Sequence, residues 1–541
     1  MLNLINYFPK EYTPRPTQTK AIQEIDRAIS DGYQYIICCL PTGSGKSFIP
    51  STLANYSKEP TPDYLNVLAL LSEGAQSFGS TNENPEKWGC ATLTVSKVLQ
   101  NQYDDLFDHS NILKGRHNYI CQVDNDFDCE VAPCTFTPSV YKDCLINKKC
   151  SYFNERESAL LSKFGVFNYN MYLCLQKQLN QRQFIVCDEA DKIEDELVSF
   201  YSVKLDYKRI DYRRLNIEKL ESDNPNYAFN WLVDVIAKVN NEIMFWSNQM
   251  GNQNSSKNKR LLSGSVNNFK YYKNLWDRLN NVKKNWYASE YVVEYDDERA
   301  EFIPLHVGNL AKNNIFNNAE HIILMGATIS DHEMLAKSLG IEKYKYIELD
   351  STFDSQKSPI YCSSKYALNY RSMDKVLPNI INQIEILCKQ HKDDKGIIHC
   401  HNFKIVEAIQ VRLGKDKRFL FRDMGMSNEA LLQEHRISKL PTVLVSPSMD
   451  TGVSLDDDLG RFQIIVKAPY LPLGSKRIKT LFERDSKWYN FKMLNSLIQA
   501  TGRCTRSEDD HAITYILDAT ATKMLKSNFD KLPLHIRERI H

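Results

Sequence analysis

Hydrophobic residues fall in short blocks along this chain, separated by longer polar stretches. The first block, YIICCL at 35–40, runs into a Gly-rich turn and then into a segment with helical spacing, the order strand, loop, helix. ATLTV at 91–95, FIVC at 184–187 and HIILMGATI at 321–329 are comparable apolar runs. Continuous apolar runs of this size predict strands buried on both faces of a parallel sheet. A second series repeats the pattern with helical stretches between: GIIHC at 396–400, TVLVS at 442–446, QIIVKAPY at 463–470 and AITYIL at 512–517. Two α/β lobes, each built on a parallel sheet, are therefore expected.

Two stretches within the first series are too long for simple crossovers. Residues 103–160 hold a run of cysteines, and residues 205–300 are polar and rich in aromatics. Helical spacing is evident at 230–246 and again around 267–285, with GNQNSSKNK at 251–259 as the loop between. YVVEYDDERAEFIPL at 291–305 predicts a hairpin turning on Asp296 and Asp297. Both stretches read as insertions into the first lobe.

Composition narrows the picture. A chain of 541 residues exceeds a single core. The formal net charge is +1, which excludes a histone-like coat but not a motor whose phosphate contacts line one groove. No apolar run reaches the roughly 20 residues that span a bilayer, so no membrane is expected as a partner. The first residues lack the pattern of a signal peptide, so a cytoplasmic location is expected. Of 14 cysteines, Cys121, Cys129, Cys134, Cys144 and Cys150 share one 30-residue segment. In a reducing compartment such a cluster reads first as a metal site.

The chemistry-bearing motifs sit at strand ends. PTGSGKS at 41–47 follows a strand and opens a helix, the setting in which backbone N–H groups and a helix N-terminus hold a polyphosphate such as ATP. Thr42, Gly43, Ser44 and Gly45 wrap the phosphates, Lys46 neutralises the β- and γ-phosphates, and Ser47 holds Mg²⁺. Asp188, Glu189, Ala190 and Asp191 follow the strand FIVC. Asp188 suits the Mg²⁺ shell, and Glu189 suits polarisation of the attacking water. Near the other end, QATGRCTR at 499–506 offers Gln499, Arg503 and Arg506. Arginines three apart on a helix share a face and can stabilise charge that develops on a γ-phosphate. The residues together describe an ATP site split between two lobes, with closure on ATP bringing in the arginines.

With these motifs in order, the chain resembles the XPD/DinG family of superfamily 2 DNA helicases over essentially its whole length. The match takes in TPRPTQ at 13–18, PTGSGKS, the expected strand LTVSKVLQNQ at 93–102, KGRHNYIC at 114–121 and FNYNMYL at 167–173. It continues through DEAD, GATISD at 326–331, MDTGVSLDDDLG at 449–460, KAPYLPLGS at 467–475 and QATGRCTR. The resemblance implies adenine reading by Arg15 and Gln18, and nucleotide contacts from Asp450 and Gly452. It implies a [4Fe–4S] cluster held by Cys121 and Cys150 with Cys134 and Cys144 as the middle pair; Cys129 is the spare, and its exchange with Cys134 stays open. Thiolates suit iron–sulfur and structural zinc alike, and the lack of paired CxxC knuckles favours iron. Arg116, Lys148 and Lys149 are placed to meet DNA phosphates, and Tyr152, Phe153 and Tyr169 to stack on bases or to lie in the core.

The fold so implied is α/β: two RecA-like parallel-sheet lobes, with an iron–sulfur domain and a mostly helical Arch domain inserted in the first. In residue numbers, the first lobe covers 1–110, 161–205 (with the acidic motif) and 301–360, the cluster domain 111–160, the Arch 206–300 and the second lobe 361–541. Relatives of this kind translocate 5′→3′ on single-stranded DNA and act at single/double-strand junctions, with the Arch as a surface for a protein partner. Two departures stand out. Asp191 takes the place of the family's usual His, which bears on how hydrolysis couples to movement. The 51–90 stretch between the phosphate loop and the next motif is longer than expected and reads as an insertion near the DNA path.

Overall fold

A computed structural model describes every residue except 1, 63–85, 136, 147–149, 176–180, 255–258, 352, 363, 370, 423–427, 448–454, 456 and 505–509. The chain first lays down β1 (Tyr35–Cys39), β2 (Trp88–Thr94), β3 (Asn111–Leu113), β4 (Phe164–Asn168) and β5 (Arg182–Asp188). It then leaves that sheet for β6 (Val203–Asp206), two long helices, Pro225–Asn254 and Lys259–Ser289, and the hairpin of β7 (Tyr291–Tyr295) and β8 (Arg299–Pro304). It returns through β9 (Ala319–Gly326) and β10 (Lys345–Glu348). The remaining strands are β11 (Ile360–Tyr361), β12 (Gly396–His399), β13 (Phe419–Phe421), β14 (Val443–Ser446), β15 (Phe462–Ile465) and β16 (Ile513–Ile516).

These strands form two parallel sheets, the RecA-like pair that the apolar blocks predict. The first has the order β10-β1-β9-β5-β2-β4-β3 and the second β11-β16-β15-β12-β14-β13. β1 lies inside the first sheet, with Ile37 opposite Leu324 of β9 on one side and Tyr346 of β10 on the other. Every residue of β2 and of β5 is buried, as strands covered by helices on both faces require. The helix Pro16–Ser30 supplies part of that cover through Ile22, Ile25 and Ile29, which share one face at helical spacing. The third sheet, β6-β8-β7, is antiparallel. With the two long helices it encloses a core of its own around Trp231, Leu232, Leu279 and Phe302. Asp296 Oδ1 accepts from the backbone N–H of Glu298 and Arg299 at 2.8 and 2.9 Å, closing the expected hairpin turn.

Three local expectations are corrected. LTVSKVLQNQ is mostly helix: β2 stops at Thr94, and Ser96 caps the helix Lys97–Leu106 by accepting from the Leu99 N–H. The 251–259 loop is shorter, because the helix Pro225–Asn254 runs into it. The 51–90 insertion is shorter too. Its first residues complete the helix Phe48–Tyr56, its last open β2, and 63–85 lie outside the described residues.

Candidate active site

The turn after β1 is shaped by two glycines. Gly43 and Gly45 take φ of 76° and 75°, left-handed values that a side chain resists. At Gly45 a Cβ would also stand 2.1 Å from Gln18 Nε2. Gln18 Nε2 donates to the Gly45 carbonyl at 3.3 Å, and Arg15 Nη1 donates to the Gly43 carbonyl at 2.9 Å. Arg15 and Gln18, predicted to read adenine, thus brace the phosphate loop itself, and Arg15 lines the same hollow as Gly43, Lys46 and Ser47. Ser44 is left with a buried hydroxyl that has no hydrogen-bond partner among the described residues.

The acidic motif closes the opposite wall. Asp188 ends β5 and is buried, with Oδ1 accepting from the Glu189 N–H at 3.0 Å and Oδ2 from the Tyr103 hydroxyl at 3.3 Å. Burial pushes its carboxyl up to about 6 against the pull of Lys46, with Glu189 pushing the same way as burial. Glu189 itself adopts φ 52°, a left-handed conformation that costs a non-glycine residue energy and is typical of functional turns. Asp191 is buried, its oxygens without a hydrogen-bond donor among the described residues, and only Lys192 Nζ approaches, at 3.6 Å. Burial raises its carboxyl above the ordinary range.

The second lobe completes the site. The helix Ser486–Thr501 carries Gln499 in its last turn and ends before Arg503, which therefore lies beyond the helix expected to carry it, and both line one cleft with Thr42, Lys46 and Glu189. Residues predicted from opposite ends of the sequence are thereby brought together. Asp450, Gly452 and Arg506 lie outside the described residues. Thr328, of GATISD, faces the cleft with a buried hydroxyl that has no hydrogen-bond partner among the described residues. Two further lining residues, His535 and Arg539, carried no motif that would have marked them.

The same Ser486–Thr501 helix binds the first lobe. Trp488, Lys492, Asn495 and Gln499 fall along one face of it. Trp488 Nε1 donates to Glu194 at 3.0 Å, Lys492 Nζ donates to Asp195 at 2.7 Å, and Asn495 Oδ1 accepts from the Ser330 hydroxyl at 2.6 Å. Arg477 joins them with a buried ion pair to Glu194 at 2.6 Å.

All five clustered cysteines are buried together, packed with Tyr119, Tyr152 and Phe153. Cys129, the expected spare, is no less buried than the others, and its Sγ stands 3.9 Å from Cys150 Sγ. Burial pushes the Cys129 thiol up to about 12 and the Cys134 thiol up to about 11, with Arg116 pulling the latter down. Among the described residues no three metal-binding side chains converge as a single-ion site. The donor set is nonetheless one that a sulfur-bridged cluster takes: only soft thiols, shielded from water. Tyr152, Phe153 and Tyr169 are core residues here, the second of the two readings open for them from the sequence. Arg116 lies over the Tyr152 ring at 4.9 Å. Beside the cysteines runs a groove lined by Lys97, Arg116, His117, Arg156, Lys270 and Lys273. Lys148 and Lys149 lie outside the described residues. Among the described residues no helix is long and apolar enough to cross a membrane.

Known proteins share this fold. Residues 384–538 match the family model of the helicase C-terminal domain. A solved XPD helicase matches with TM-score 0.61 and 16% identity, over 95% of this chain and 98% of that one. An apo XPD structure matches with TM-score 0.53 and 14% identity, over 93% and 98%. Xpd4 of S. tokodaii gives TM-score 0.53 and 12% identity, over 95% and 97%. No curated protein matches the sequence. The chain therefore shares the fold of these XPD structures, and its residues 384–538 match the helicase C-terminal domain.

Proposed function

We propose that this chain is an ATP-driven DNA helicase or translocase, DinG-like, moving 5′→3′ on single-stranded DNA in repair, replication or recombination. The observation that carries the reading is the split cleft: Lys46 and Glu189 from one lobe face Gln499 and Arg503 from the other. In that arrangement Lys46 meets the β- and γ-phosphates, Ser47 and Asp188 hold Mg²⁺, and Glu189 orients the attacking water. Arg503 then supplies charge as the γ-phosphoryl leaves. Arg506, Asp450 and Gly452 extend the same site in this reading.

Cys121, Cys134, Cys144 and Cys150 would hold a [4Fe–4S] cluster, which when bound would tie the segment together through its ligand bonds. The basic groove beside it supports passage of single-stranded DNA toward a junction, with the Arch as the surface for a protein partner. The decisive experiment is ATP-dependent strand separation on tailed duplexes of both polarities. Separation confined to the 5′-tailed duplex is expected, and separation from the 3′ tail alone would reverse the polarity. A second reading, translocation or R-loop remodelling without processive unwinding, draws on Asp191 in place of the family His. DNA-stimulated hydrolysis with no strand separation from either tail would favour it.

A further inference from the structure

The segment that follows the helix Ala519–Ser527 leaves the second lobe and crosses to the first. Lys531 Nζ pairs with Asp331 Oδ2 at 2.5 Å, and the Leu534 N–H donates to Glu348 Oε1 at 2.7 Å, both partners belonging to the first lobe. Its far end is pinned back to the second lobe, where Ile540 bridges Ile360. Arg539 donates to the Ser358 and Thr501 carbonyls at 2.7 and 3.1 Å, the second of these two residues before Arg503. Between these anchors the short helix Leu534–Arg537 sets His535 into the cleft beside Lys46, Glu189 and Arg503.

His535 is only 9% exposed, and its Nδ1 is buried without a hydrogen-bond partner among the described residues. An unpaired ring nitrogen in a dry site costs free energy unless something binds there. Its neighbours indicate what. Burial first, and then Arg539 and Lys46, disfavour a charged imidazole, so the ring is neutral among cations and free to donate from one nitrogen. Such a setting suits an anion. The phosphate loop already holds the β-phosphate side, and His535 sits across the cleft, with Glu189 and Arg503, where a terminal phosphate would lie.

We infer that His535 contacts the γ-phosphate of the bound nucleotide, donating one hydrogen bond from a strap that spans both lobes. This rests on the ATP-site reading above and adds a residue to it. A hydrogen bond to the γ-phosphate exists with ATP and not with ADP, so the strap would be held to the first lobe more firmly in the triphosphate state.

Affinity of the full chain with Mg²⁺ for a non-hydrolysable ATP analogue and for ADP tests this. His535→Leu, which keeps bulk and removes the donor, should weaken the analogue about tenfold, the worth of one hydrogen bond to a charged group, while ADP stays within about twofold. His535→Asn, whose amide nitrogen can stand close to the place of Nδ1, should remain near the native values. If the leucine variant does not fold, His535→Ala, which also lacks the donor, should show the same loss for the analogue alone. Equal weakening of both nucleotides, or of neither, would overturn the assignment and leave His535 a packing residue. A native chain that binds neither nucleotide would overturn the ATP site itself, and this inference with it. If Lys46→Ala weakens both nucleotides while His535→Leu weakens neither, only the inference is lost.

Discussion

Lys46 and Arg503 face one cleft from opposite lobes, and their roles separate by the step at which each charge matters. Lys46→Ala should abolish ATP hydrolysis while single-stranded DNA binding persists, because the polyphosphate loses its counter-ion and the DNA groove does not. Arg503→Ala should lower kcat by about a thousandfold with ATP affinity nearly unchanged, since its contact strengthens in the transition state. Steady-state kinetics beside equilibrium ATP binding distinguishes the two, and equal losses in both quantities would contradict the finger role. A second residue-scale expectation concerns His435, which is fully buried. Its Nδ1 pairs with the Thr442 hydroxyl and its Nε2 with the Leu459 carbonyl, each at 2.8 Å. Burial holds its pKa down to about 4, against roughly 6.5 in an unfolded chain. Below pH 6.5 the unfolded state takes up a proton that the folded state refuses until about pH 4. Stability should therefore fall across that window, by up to roughly 3 kcal/mol, and no further from this group below it. The difference in denaturation midpoint between the native chain and His435→Asn, followed with pH, isolates the contribution.

Strands that carry a run of four or more apolar residues were legible, because burial on both faces favours such runs, even where a strand such as β5 also buries Arg182 and Gln183. β3, β4, β6, β10, β11 and β13 were missed. All but β4 are two to four residues long, and polar or half-buried positions interrupt most of them, while the short apolar run of β4 holds Gly165 and ends on Asn168. LTVSKVLQNQ misled because its apolar start belongs to β2 while Ser96 turns the rest into a helix. Motif residues from both ends of the sequence, Lys46, Glu189, Gln499 and Arg503 among them, line one cleft. His535 and Arg539 were not legible in the sequence, because only tertiary structure brings that segment to the cleft. The cysteine segment was legible as a metal-binding candidate but not in its ligand choice, since five thiols share one pocket. Cys121→Ser, Cys134→Ser, Cys144→Ser and Cys150→Ser should each lose iron from anaerobically purified protein, whereas Cys129→Ser should keep about four irons and four sulfides. A colourless Cys129→Ser protein would reassign that ligand, and stoichiometric zinc without sulfide would reject the cluster.

Across the whole molecule the lobes are joined by buried charge. Arg477, Glu194 and Lys492 are each nearly excluded from water, and removing one partner of such a set strands the others. Arg477→Ala should cost about 3–5 kcal/mol in a denaturation experiment, far more than loss of the exposed Arg484–Glu290 pair. DNA affinity belongs to this scale too. A net charge of +1 leaves binding to a local groove, so affinity should fall steeply with salt and depend little on base sequence. Salt-independent binding would argue against a chain that tracks phosphates. The helix Ser486–Thr501 joins these scales, with Trp488 at one end and the turn to Arg503 at the other. A rod of 16 residues is roughly 24 Å long. Tilting it by about 5° moves its tip by about 2 Å, a displacement on the scale that separates a hydrogen-bonded arginine from an idle one. The rod is in that sense a lever with an optical pointer: a change of phosphate state felt at the arginine should appear as a change in the fluorescence of the indole held by Glu194.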